Sequence, residues 1–135
     1  MANVLYPKAK EDFLAGSLNM SSNTITVALV DTGVYTFSAA HEDRADIPNT
    51  AIVAEANLAS KTISAGVFDA DDSTFTTVAG ANCEALILFH QDVQAGNAAS
   101  RLIAYIDTAT GLPILPNGGD ITIRFSSGAS KIFAL

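Results

Sequence analysis

The sequence predicts a mainly β domain: an antiparallel β-sandwich or barrel of about nine short strands, preceded by a short N-terminal helix. Three observations predict it. Apolar residues recur with a period of two from Asn23 onward. Turn-forming clusters ("DTG", "ADDS", "AGAN", "TATG", "NGG", "SGAS"), together with the loops "AAHEDRADIPNT" and "QDVQAGNAAS", punctuate those runs every ten residues or so. The chain of 135 residues has the length of one domain, with no linker, internal repeat or low-complexity tract, so residues 1–135 are read as one unit.

The first element is the helix. In "LYPKAKEDFLAGSL", Pro7 suits a first helical turn, the residues after it have fair helix propensity, and Gly16 suits a C-terminal stop. The spacing predicts a helix over 8–15 that lids an open end of the β-structure, behind a possible arm over 1–7. In "NTITVALVD", Ile25, Val27 and Leu29 point one way and Thr24, Thr26 and Ala28 the other. "DTG" turns the chain, and "VYTFS" reads as the returning strand. "AAHEDRADIPNT" is polar and interrupted by Pro48, so it is a loop. A strand is expected at 51–55.

"KTISAGVFD" alternates as one strand, with Gly66 suggesting a bulge or a close backbone approach. "ADDS" reads as a turn and "TFTTV" as the return. "CEALILFHQ" is almost continuously apolar, which predicts a central strand covered on both faces. "RLIAYID" is a strand, and "LPILP" an extended edge. In "DITIRFS", Ile121, Ile123 and Phe125 face in while Thr122 and Arg124 face out. The terminal "KIFAL" is expected to pair back on that strand through "SSGAS", which would explain an apolar chain end.

Composition narrows the function. Net charge is −7 with 16% charged residues, and the seven Lys and Arg are scattered. That argues against a nucleic-acid partner, since phosphate binding needs clustered basic residues, and against an anionic membrane surface. No apolar run is long enough to span a bilayer, and no basic-then-apolar leader is evident, so a soluble protein is expected. Lone Cys83 cannot form an intramolecular disulfide and reads as a buried small hydrophobe in a chain assembled inside a cell. Apolar residues make up 49% of the chain, and Ser, Thr and Asn dominate the polar ones. A weakly charged surface suits contact with neighbouring subunits, where buried charge is costly.

Chemistry is sparse. His41 in "HEDRADI" lacks the second His of a zinc-protease helix, and His90 sits at a strand end. The acidic cluster Asp69–Asp72 could offer oxygens to a hard cation, but lacks the Gly and distal Glu of a calcium loop and reads as a turn. No Gly-x-Ser-x-Gly elbow, phosphate loop or dinucleotide fingerprint occurs. Cys83 has no basic neighbour and is flanked by Glu84. The expectation is no enzyme, no cofactor and no metal. A glycan-binding sandwich is an alternative, but it wants exposed aromatic platforms, and there is no Trp.

The chain resembles a family of small tailed-bacteriophage virion proteins. The resemblance runs nearly the whole length, on "LYPKAKEDFLAGSLN", "NTITVALVDTGVYTFSAAHEDRADIP", "SKTISAGVFDADDSTFTTVAG" and "RLIAYIDTATGLPILPNGGDITIRFSSGASKIFAL". Met20 departs from it, at a position where an aromatic is common, which touches packing. The resemblance implies a virion structural protein assembled in the host cytoplasm. Its first form is a capsid decoration (cement) protein binding the major capsid protein and copies of itself, commonly as a homotrimer. A tail or head–tail connector component is the alternative. Interface candidates follow from position: Ala2, Asn3, Val4, Leu5 and Tyr6 as an arm, His41 and Arg44 in one long loop, and Val93 in another. Removing residues 2–6 is expected to spare the fold and weaken binding.

Overall fold

The computed structural model describes residues 4–91, 100–107, 112–125 and 132–134. Ten strands, one α-helix and two single-turn 3-10 helices (Arg44–Asp46 and Asn49–Ala51) make up the regular structure there. The helix, α1, spans Pro7–Ala15. In chain order the strands are β1 (Val4–Leu5), β2 (Ile25–Val30), β3 (Ile52–Asn57), β4 (Thr62–Ser64), β5 (Val67–Asp69), β6 (Ser73–Phe75), β7 (Ala85–His90), β8 (Leu102–Ile106), β9 (Ile121–Ile123) and β10 (Phe133–Ala134). They form three antiparallel sheets, ordered β1-β8-β7-β2-β3, β10-β5-β4 and β6-β9. Among the described residues none closes on itself, and the fold is sandwich-like.

Helix α1 begins at Pro7, which needs no amide partner in the first turn. It ends at Gly16, whose left-handed backbone (φ 78°) lets Ser17 N–H reach Asp12 O at 2.8 Å and Gly16 N–H reach Phe13 O at 3.2 Å. The helix lies against β8 and buries Ala9, with Phe13 packed on the core. The sequence predicts a short helix here, and it lies against β8 of the large sheet.

The large sheet carries the core. Every residue of β2 and β8 is buried, and so is β7 up to Phe89. Continuous apolarity predicts this for β7. For β2 it exceeds the one-sided alternation, because small Thr26 and Ala28 also lie under cover. The register puts Val4, Tyr105, Ile87, Ala28 and Glu55 on one face. Segment 31–47 covers that face: Phe37 packs against Tyr105 at 5.3 Å and the Arg44 guanidinium lies over the Phe89 ring at 5.9 Å. The other face presents Leu86, Leu88, Val27, Leu29 and Ala104. These join one hydrophobic cluster with Phe68, Phe75, Ile121, Ile123 and Ile132, which the two smaller sheets and their flanks supply. Each fully buried large side chain contributes about 1.5–3 kcal/mol relative to exposure.

Several expectations are corrected. Val34–Ser38 is not a strand. Val34 and Tyr35 N–H both bond Asp31 O (3.1 Å each), so the chain curls and lays Tyr35 and Phe37 on the sheet without pairing. "KTISAGVFD" is a hairpin, β4–β5, because Ala65 (φ 51°) and Gly66 (φ 79°) form a two-residue turn with both φ positive. The "ADDS" segment does not make a hairpin: it carries the chain from one small sheet to the other, where β6 pairs β9. The terminal strand does not return to β9. Phe133 pairs Phe68 and Ala134 pairs Val67, so β10 adds to β5. The "SSGAS" turn and Leu135 lie outside the described residues. "LPILP" is an extended edge, bridged by Ile114 and Cys83 through bonds of 2.8 and 2.9 Å.

Candidate functional site

The proposed N-terminal arm is part of the fold. Val4 and Leu5 pair with Tyr105 and Ala104, and Tyr6 N–H bonds Ile103 O at 2.9 Å. The Tyr6 side chain is fully buried, so it cannot serve as a contact for another subunit. Apolar Val4, Leu5 and Tyr6 pay for their position by completing the sheet edge, and deleting them would expose β8. Removal of residues 2–6 therefore costs stability, contrary to the sequence expectation. Ala2, Asn3 and Val93 lie outside the described residues.

The structure brings His41 to Tyr6 through Tyr35. The Tyr6 and Tyr35 hydroxyls are 2.9 Å apart, and the Tyr35 hydroxyl is 2.8 Å from His41 Nδ1. Burial raises the pKa of both phenols, so both hold their protons at neutral pH, and for Tyr6 the bond to Tyr35 adds to that rise. His41 is half-buried, its ring tilted against Tyr35.

Arg44 is also internal. It is buried, donates from Nη1 to Ile47 O at 3.2 Å, and places Nε 3.8 Å from Glu55 Oε2. It fastens the covering loop to β3 and is no surface contact. Its loop is braced by Asp46, whose Oδ2 accepts from the Glu42 and Asp43 N–H groups at 2.8 and 3.1 Å. Those two bonds hold the Asp46 carboxyl below its ordinary range. Arg101 completes the brace: Nε meets Asp12 Oδ2 at 2.6 Å and Nη1 meets Asp43 Oδ1 at 3.0 Å. Burial raises the Asp43 pKa, and Arg101 opposes that rise. One guanidinium thus ties β8, α1 and the loop together.

The Asp69–Asp72 oxygens do not converge. Asp69 is in β5, and Asp72 Oδ1 accepts from Phe125 N–H at 3.0 Å. Among the described residues no three His, Cys, Asp or Glu side chains gather as a metal site. No helix there is long and apolar enough to cross a membrane. Cys83 is buried, and burial, with help from Glu84 and Asp31, pushes its thiol up to about 11.

A groove absent from the sequence reading lies elsewhere. It holds a cavity of about 360 Å³ lined by Phe13, Leu18, Met20, Ile63, Phe68 and Phe133, among others, and no charged side chain lines it. It opens beside β4, the last strand of its sheet, whose three residues are all exposed. Ile63 there is 55% exposed. The groove draws on the end of α1, the chain after it, the β4–β5 hairpin and β10. No short motif could announce a surface assembled from four separated segments. The signals present were Met20 and an apolar residue in a strand with no covered face.

Comparison with protein-family models finds no match for this chain, and comparison with curated proteins finds none either.

Proposed function

We propose that the protein is a structural subunit of a bacteriophage virion, first of all a capsid decoration protein that binds the major capsid protein and copies of itself on the outer head shell. The role is binding and not catalysis. The observation that supports it best is the uncharged apolar groove beside the open edge of β4, in a chain of net charge −7. A neighbour can be received there without desolvating charge, and an open edge can receive an extended segment of it through backbone hydrogen bonds. The sequence resemblance to small virion proteins points the same way. A ligand that binds only the assembled lattice stabilises it by mass action, and many equivalent sites make a modest single contact sufficient.

Copy number per purified particle tests the reading, by quantitative mass spectrometry against the major capsid protein. Hundreds of copies in a simple ratio to the shell protein are expected. A few tens or fewer would move the protein to the tail or head–tail connector. Complete absence from particles would refute a virion role.

A further inference from the structure

The chain Tyr6–Tyr35–His41 has a property that neither its packing nor the proposed function uses. It is three polar groups joined by two gaps, at 2.9 and 2.8 Å. Each gap holds one proton. Tyr6 and Tyr35 bring one proton each. The count therefore closes when His41 presents a lone pair at Nδ1 and carries its proton on Nε2: Tyr6 donates to Tyr35, and Tyr35 donates to His41. A second ring proton gives three protons for two gaps. Rotating a hydroxyl changes which proton is stranded but cannot remove the excess. The Ser38 backbone beside the Tyr35 hydroxyl is a further donor and offers no relief. Tyr6 and Tyr35 are 0% and 2% exposed, so water does not accept the stranded proton without opening the site.

We propose that this chain is a pH-sensitive latch: it holds the N-terminal segment on the sheet while His41 is neutral, and strands a buried hydroxyl proton without an acceptor when the imidazole gains its second proton.

The groups facing His41 are the Tyr35 phenol and the Asp46 carboxylate of the same loop, and behind Tyr35 stand Tyr6 and, from β8, Tyr105. Asp46 attracts the imidazolium and opposes release. It is exposed, however, and its Oδ2 already accepts two backbone N–H groups, so its pull is a screened one. A stranded buried donor outweighs a screened surface pair. What loosens is set by Tyr6. It joins β1 to α1, bonds Ile103 O through its N–H, accepts Lys10 N–H at 3.2 Å, and packs on Phe37 at 5.0 Å.

Hydrogen exchange of the full chain at about pH 7.5 and about pH 5.5, the range where histidine ordinarily charges, tests the latch after correction for intrinsic rates. Exchange across Val4–Lys10 is expected to rise about tenfold on acidification, the size expected for one stranded buried donor. Exchange in β7 should stay put. His41→Gln should abolish the step. So should the double substitution Tyr6→Phe with Tyr35→Phe, which keeps His41 but leaves no phenol proton to strand. A flat wild-type profile overturns the proposal, and so does a step that survives in the double variant. Nitrogen NMR of the imidazole near neutral pH needs no variant: a proton found on Nδ1 of neutral His41 overturns it as well.

Discussion

Strands β2, β7 and β8 and the small sheet β10-β5-β4 divide the labour of the molecule. The first three are buried from end to end save His90. In the second, β4 is exposed throughout, β5 buries only Phe68, and β10 is half covered. The central strands hold the apolar area that folding requires. The outer sheet leaves its edge and the groove beside it open. On the function proposed above, the difference teaches that stability and recognition occupy separate strands of one small domain, so each should be alterable without the other.

The largest expected effect breaks the central region. Leu88→Ala, with Leu88 fully buried in β7, should cost about 3–5 kcal/mol in denaturant unfolding. A loss under about 1 kcal/mol would mean the core is not where the burial places it. Next comes the brace between regions. Arg101→Met removes the partner of Asp12 and Asp43, and should cost about 1–2 kcal/mol at neutral pH, measured the same way. The loss should shrink as acid protonates Asp43, whose pKa burial raises. At the outer sheet, Ile63→Asp should cost less than either, about 0.5–1 kcal/mol, since more than half of the residue is already in water. Its effect should appear as lost occupancy on purified shells. Undiminished occupancy would remove the groove from the binding surface. Cys83 gives a kinetic check on the same division. With a thiol pushed up to about 11 and no exposure, its labelling near pH 8 should follow global unfolding, whereas fast labelling of the native protein would show local opening at the Ile114 bridge.

Legibility in the sequence follows the same division. Helix α1, β7, β8 and the alternation of Ile121 and Ile123 were readable, because local periodicity and burial agree there. The segment Val34–Ser38 misled, because period-two burial reports a face turned to the core and not a hydrogen-bonded partner. Tyr35 and Phe37 turn inward from a curled chain. The β10–β5 pairing was not readable, since several strands could have paired with "KIFAL" and sequence adjacency favoured the wrong one. The site residues fared unevenly for a related reason. Tyr6, His41 and Arg44 were picked for their place in an arm and a loop, but long-range packing turned all three inward to different degrees. The groove needed four distant segments and left no pattern in any of them.

The turn at Ala65 and Gly66 carries a consequence of its own. A left-handed backbone suits Asn or Gly and strains a residue with a plain methyl group. Ala65 sits there at φ 51° at the tip of an exposed hairpin. The chain is thus short of its own optimum at this position, and an Asn–Gly pair is the sequence such a turn favours. Changing Ala65 to Asn should sharpen the register of β4 against β5. A protein improved in this way would keep every core contact it has, and would differ only in how firmly it presents its outermost edge.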